Sequence, residues 1–227
     1  MAFTGLAERL ADVRSTIEEA ARRGGHSQQV TIVAVTKTHP PAAARAAYDV
    51  GLRDVGENKV QEALKKMAEV DVPVRWHLIG HLQRNKIKSL EHFVLLHSLD
   101  SPKLADAVCA FGLARGKAVE VLIELNISGE STKRGYSPTE LLPEAERLVR
   151  LSGIRVRGVM TMASFTATES QLHRTFAEAR EARAALVEAG HPAEELSMGM
   201  SNDYEIAVEE GATLVRLGTT LFGARAK

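Results

Sequence analysis

Residues 30–41 read VTIVAVTKTHPP, and the reading of this stretch decides the fold. Five of the six residues from Val30 to Val35 are apolar and most of those are β-branched, while Pro40-Pro41 stops the run, so 30–37 is a buried strand. A lysine at the end of such a strand has two explanations. Lys37 either snorkels to water where the strand surfaces, or places an amine at the mouth of a core.

Outward from this strand, apolar runs alternate with helical stretches along the whole sequence. Further strands are expected at 53–56 (RDVG), 75–79 (RWHLI), 93–99 (FVLLHSL), 119–126 (VEVLIELN), 155–163 (RVRGVMTMA), 196–200 (LSMGM) and 213–217 (TLVRL). Helical segments fall between them at 41–50, 59–69, 102–115, 138–151, 169–189 and 203–210. Strict β-then-α alternation requires a parallel sheet with helical crossovers. Eight such units in 227 residues suit a single (β/α)8 barrel spanning 1–227, preceded by an extra amphipathic helix carrying Leu6, Leu10, Val13 and Ile17. An open doubly wound sheet is the alternative. It loses ground because no G-x-G-x-x-G follows the first strand and no Walker pattern is present.

Composition narrows the function classes. Lys plus Arg equals Asp plus Glu at 29 each, which removes the electrostatic footprint of a nucleic-acid or membrane-surface binder. The lone Cys109, in ADAVCAF, reads as a core residue and fits a reducing compartment. No apolar run approaches the roughly 20 residues of a membrane span. A cytoplasmic protein is expected, and, with nothing marking an interface, a monomer.

In a (β/α)8 barrel the reactive groups gather where strands end, with phosphate held after strands seven and eight. Strand one ends at Lys37. On strict alternation Lys37 shares a face with Val33 and Val35; if that face points inward, burial makes its amine a nucleophile toward an aldehyde. Strand seven ends at Ser201, which can cap the following helix or hold a phosphate oxygen. Strand eight, TLVRLGTTLFG, offers the Gly218 backbone and Thr219, with Arg216 on the same side as Gly218. An inward arginine needs an acceptor, either a ligand or a carboxylate such as Glu57 or Glu124. Asn58 after strand two could line the site or cap a helix beginning near Lys59. His77 and His81 have the spacing of a metal pair only on a helix, and Gly80 argues against one, so no metal is expected. LNISGESTKRGYSP after strand five has the composition of a binding loop. An amine, a phosphate cradle and an arginine together suit a phosphorylated aldehyde, with pyridoxal 5′-phosphate the obvious candidate.

The motifs AVTKTHP, VGENKVQE, WHLIGHLQRNK, GVMTMA, LSMGMSNDYEIAVEEGAT and VRLGTTLFGAR, in this order, resemble the pyridoxal phosphate homeostasis protein family, barrels related to the N-terminal domain of alanine racemases. The resemblance runs from about residue 5 to 225. It implies that Lys37 carries the cofactor as a Schiff base and that Ser201, Gly218 and Thr219 bind its phosphate. It also implies that Arg216 approaches the ring nitrogen and that Asn58 lies in the pocket. The implied role is intracellular vitamin B6 homeostasis without catalytic turnover, with enzymes lacking their cofactor as possible recipients. An always-protonated arginine at the ring nitrogen weakens the electron sink. On the resemblance, Met162 stands where the racemases have a histidine, and the β-domain that supplies their second base is not expected within these 227 residues. The competing readings are a racemase using Lys37 with Tyr136 or Tyr204, and a cofactor-free Schiff-base lyase acting on a sugar phosphate.

Overall fold

The computed structural model describes residues 3–130 and 134–223. Eight parallel strands close into one barrel in the order β1 to β8: Thr31–Val35, Asp54–Glu57, Arg75–Leu78, Leu95–Leu99, Val119–Leu125, Ile154–Thr161, Glu195–Met200 and Leu214–Leu217. Closure comes from β1 pairing in parallel with both β2 and β8. The strands therefore lie where the apolar runs place them, and the barrel supersedes the open-sheet alternative.

Helices α2 (Ala42–Asp49), α3 (Val60–Glu69), α4 (Pro102–Ala114), α5 (Pro138–Leu148), α6 (Glu169–Glu188) and α7 (Tyr204–Glu209) form most of the outer layer, and a 3₁₀ helix, Arg84–His92, takes the place of an α-helix between β3 and β4. Two N-termini follow from local chemistry alone. Ser137 with Glu140 and Thr168 with Gln171 make capping boxes that satisfy the first free N–H groups of α5 and α6. The additional N-terminal helix α1 (Leu6–Gly24) buries Leu6, Leu10, Val13, Ile17 and Ala20, a single stripe at spacings of three and four. That stripe packs α1 on α7 and on the short C-terminal helix α8 (Thr219–Phe222). The approach is close enough that a Cβ on Gly24 would sit 2.1 Å from the Glu209 carbonyl oxygen.

Alternation along the strands divides the core in two. Outward residues such as Ala34, Val55 and Ile123 join the layer between sheet and helices. Inside the barrel a small separate cluster of Val33, Leu95, Leu122, Met160 and Leu214 fills only part of the lumen. The rest is polar: Asp54, His77, His97, Ser197 and Arg216 are each buried.

Candidate functional site

β1 is shorter than its apolar run suggests. It stops at Val35, and Lys37 lies in the turn beyond it, where the His39 N–H returns to the Thr36 carbonyl. Thr38 adopts φ 66°, the only left-handed non-glycine among the described residues. Such a conformation costs energy and persists only where the surroundings impose it. Here they do so from both sides of Lys37. Buried Lys66, on α3, donates to the Thr36 carbonyl oxygen at 2.6 Å, while Glu62 accepts the Thr38 N–H. Lys66 also donates to Glu57 (2.7 Å) and Glu62 (2.8 Å), and the Thr36 hydroxyl donates to Glu57. Burial pushes the Glu57 carboxyl up despite Lys66 and Thr36 pulling it down. His39 packs on Phe222 with ring centroids 5.3 Å apart and the planes tilted by 44°, which ties the same turn to α8.

This turn forms one wall of a pocket of about 400 Å³ at the C-terminal mouth of the barrel. The pocket brings together Lys37, Ser201, Gly218 and Thr219, with Ala163, Phe165 and Asp203 among the other lining groups. Its volume is that of a small-molecule site. A larger depression, about 540 Å³, lies against α1, β1 and β2 and has no lysine in its wall.

Ser201 does not cap α7. Asp203 precedes that helix, and its carboxylate accepts the Met200 N–H. The Ser201 hydroxyl instead accepts the Thr220 N–H at 3.3 Å, joining the loops after β7 and β8. Burial pushes Asp203 up, the Met200 N–H and Arg216 opposing it. A Cβ at Gly218 would meet the Val35 carbonyl oxygen at an ordinary 3.5 Å, so a methyl group would fit there in contact with the end of β1. Asn58 is exposed, packs over Gly80, and is neither a pocket-lining residue nor the cap of α3, a place taken by Lys59.

Arg216 lies beneath the pocket, two residues before Gly218 on β8, and makes no ion pair with Glu57 or Glu124. Glu57 is occupied by Lys66. Arg216 Nη1 donates to the Ser197 carbonyl (2.7 Å) and hydroxyl, and Nη2 donates to the Thr161 carbonyl (2.9 Å). These bonds use three of the guanidinium's five N–H donors. Burial draws Arg216 down to about 10, with Asp203 and Glu124 holding it up through space. It is therefore a cation at neutral pH, positioned by neutral acceptors. His77 turns into the lumen and meets Asp54 and His97, while His81 meets Asp100, so the two histidines do not converge. Part of the loop after β5, residues 131–133, lies outside the described residues.

The chain that carries this half-buried lysine, the two strand-end loops across the pocket and the buried arginine below is similar to known proteins. The family profile for the alanine racemase N-terminal domain matches residues 9–226. The chain belongs to this family. Within it, the pyridoxal phosphate homeostasis protein of Pseudomonas aeruginosa is 44% identical over 223 residues, covering 97% of this chain and 96% of the relative. The protein of the same name from Aquifex aeolicus is 41% identical over 222 residues, covering 96% and 97%. PipY of Synechococcus elongatus, solved with pyridoxal phosphate bound, superposes with a TM-score of 0.85 at 38% identity, covering 96% of this chain and 100% of that one. Alanine racemase from Corynebacterium glutamicum has the same barrel at 16% identity, with a TM-score of 0.74 over 99% of this chain and 62% of its own.

Two parts of the site escape local sequence reading. Lys66 sits beside Lys65 on an amphipathic helix and resembles any surface lysine; the Glu62-x-x-x-Lys66 spacing is its only signal. Ser197 and His97 lie inside strands, where a polar residue in an apolar run (FVLLHSL, LSMGM) marks an inward polar group.

Proposed function

We propose that this chain binds pyridoxal 5′-phosphate through the Lys37 amine and serves in intracellular vitamin B6 homeostasis, holding the cofactor without turning over a substrate. The observation that carries the reading is the convergence of Lys37 with Ser201, Gly218 and Thr219 in one pocket, from opposite ends of the sequence. The group fits the residues present: an amine on one wall, and on the other a hydroxyl, a glycine backbone and a helix start.

When bound, pyridoxal phosphate supplies an aldehyde that condenses with a primary amine and a ring that can accept electron density. Lys37 provides the amine, held by the turn that Lys66 and Glu62 clamp. Ser201, Gly218 and Thr219 take the phosphate through hydroxyls and the first N–H groups of α8. Arg216, with two N–H donors left over, would face the ring nitrogen and, always protonated, would leave the ring a weak electron sink.

Retention without turnover rests on the walls of the pocket. Stereochemical inversion needs acid–base groups on both faces of the reacting carbon. Tyr136 is buried with its hydroxyl donating to Glu144 at 2.8 Å, and burial pushes it far above its ordinary range. Tyr204 is buried at the start of α7, and neither tyrosine lines the pocket. The same two curated relatives are named for homeostasis rather than for a reaction.

Borohydride reduction after incubation with pyridoxal phosphate, followed by peptide mass mapping, tests the reading. The expected pyridoxyl adduct is on Lys37. An adduct confined to other lysines refutes it, and protein that gains no visible absorbance on incubation supports the cofactor-free lyase instead.

A further inference from the structure

The barrel lumen contains a continuous polar chain that the cofactor pocket does not use. Starting at the N-terminal mouth, Asp54 Oδ1 lies 2.8 Å from His77 Nε2, and His77 Nδ1 lies 2.9 Å from His97 Nε2. His97 Nδ1 lies 2.9 Å from the Ser197 hydroxyl, and that hydroxyl meets Arg216 Nη1. The step from His97 on β4 to Ser197 on β7 joins strands that are not neighbours, so it crosses the lumen. Every member is buried. The far end opens at a depression of about 230 Å³ lined by Asp54, Arg75 and His77, where exposed Arg75 also pairs with Asp54.

We propose that Asp54, His77, His97 and Ser197 form a one-way hydrogen-bonded chain whose task is to position Arg216 beneath the cofactor ring. The ring-side role rests on the function proposed above; the direction of the chain does not.

Both ends fix that direction independently. Arginine can only donate, so the Ser197 oxygen accepts from Arg216. The serine proton then needs an acceptor, and the other partner of this hydroxyl is His97 Nδ1. An accepting Nδ1 puts the His97 proton on Nε2, which donates to His77 Nδ1, and the His77 proton on Nε2 in turn donates to Asp54. From the opposite end, Asp54 is a carboxylate: burial pushes it up, but His77 and Arg75 outweigh burial and leave it below its ordinary value. An ionised Asp54 only accepts, which demands the same His77 tautomer.

The competing state fails at the serine. An imidazolium at His77 would turn His97 round to donate from Nδ1, leaving the Ser197 hydroxyl between two donors with no acceptor for its proton. Burial holds His97 well below 6.5, with His77 and Arg216 adding to it. The other charged groups acting on the chain are Glu124 and Asp203 at Arg216 and Glu120, Arg157 and Glu195 at the N-terminal mouth. The chain thus links a cation to a carboxylate across the barrel, with no net charge between them.

Two measurements test this. Long-range ¹⁵N–¹H correlation spectra of the full chain without cofactor, assigned by the signals lost in His77→Gln and His97→Gln, should show both rings neutral and protonated on Nε2 at pH 7. An imidazolium at His77 or a proton on Nδ1 of His97 overturns the proposal. With pyridoxal phosphate, Ser197→Ala should bind roughly tenfold more weakly, the cost of one hydrogen bond to a charged group, and show a displaced absorption maximum. Ser197→Thr, which keeps the hydroxyl, should restore both. Unchanged affinity and spectrum in Ser197→Ala would reduce the chain to lumen packing and refute its positioning role. Wild-type protein that takes up no cofactor would overturn the function above, while the spectra decide the chain's direction separately.

Discussion

Glu124 is the group whose titration has the largest calculable consequence. It sits near the end of β5, 7% exposed, and burial pushes its carboxyl from the ordinary 4.5 up to about 7, with Asp100 reinforcing the rise and Arg216 and Arg134 opposing it. A carboxyl raised in the folded state binds its proton more tightly there than in the unfolded chain. Its contribution to stability is therefore greatest at acid pH and is lost as pH rises through the folded value. With 4.5 for the unfolded chain and about 7 for the folded one, lowering the pH from 8 to 5 should return about 2.5 kcal/mol at about 1.4 kcal/mol per pH unit. Glu124→Gln keeps the shape and removes the proton equilibrium. Urea unfolding of both proteins without cofactor at pH 5, 6, 7 and 8 isolates the effect, because Asp54, Glu57 and the other titrating groups cancel in the difference. The variant should be more stable than the wild type at pH 8, by an amount that shrinks by about 2.5 kcal/mol at pH 5. A difference that stays constant from pH 5 to pH 8 would refute the assignment.

Four other perturbations have defined outcomes. Lys66→Met leaves Glu57 buried without its cation and should cost about 3–5 kcal/mol in urea unfolding, most of it recovered when Glu57→Gln is added; a double variant no better than the single one would refute the pairing. Gly218→Ala places a methyl group where the nearest atom is 3.5 Å away, so stability should hold while pyridoxal phosphate binding weakens roughly tenfold. Gly112→Ala, whose Cβ would sit 1.9 Å from the Gly153 carbonyl oxygen, should instead destabilise by several kcal/mol without a specific effect on the cofactor. Tyr136→Phe should leave the absorbance of bound cofactor unchanged, since that hydroxyl is spent on Glu144; a changed spectrum would bring Tyr136 back as a participant.

The strand order and the pocket residues after strands one, seven and eight were legible because they depend on local pattern, whereas Asn58, expected in the pocket, lies outside its lining. Apolar runs at barrel spacing placed all eight strands, and residues following strands one, seven and eight do converge. What local pattern could not show is how those residues are held. Lys37 belongs to a turn rather than to β1, because the Thr36 carbonyl goes to the His39 N–H and to Lys66, thirty positions away, instead of to β2. The capping role read into Ser201 fails because Asp203 reaches back to the Met200 N–H and frees the serine to join the β8 loop. The carboxylate partner sought for Arg216 is replaced by two carbonyls and a hydroxyl, and no side-chain inventory reveals a backbone acceptor.

Strand β2 explains how both ends of the site are supported at once. Its four residues, DVGE, alternate faces, so Asp54 points into the lumen while Glu57 points out toward α3. Gly56, between them on the inner face, would bring a Cβ to 3.0 Å from Val33 and so is kept bare. The inward carboxylate ends the chain that reaches Arg216, and the outward one anchors Lys66, which holds the turn bearing Lys37. The two networks share a strand but no hydrogen bond, so their energetics should be additive. In a cycle of Asp54→Asn and Glu57→Gln, the Asp54 change should act on the spectrum of bound cofactor and the Glu57 change on the yield of the Lys37 adduct. A coupling above about 0.5 kcal/mol in cofactor affinity would mean that the amine and ring ends are not held separately.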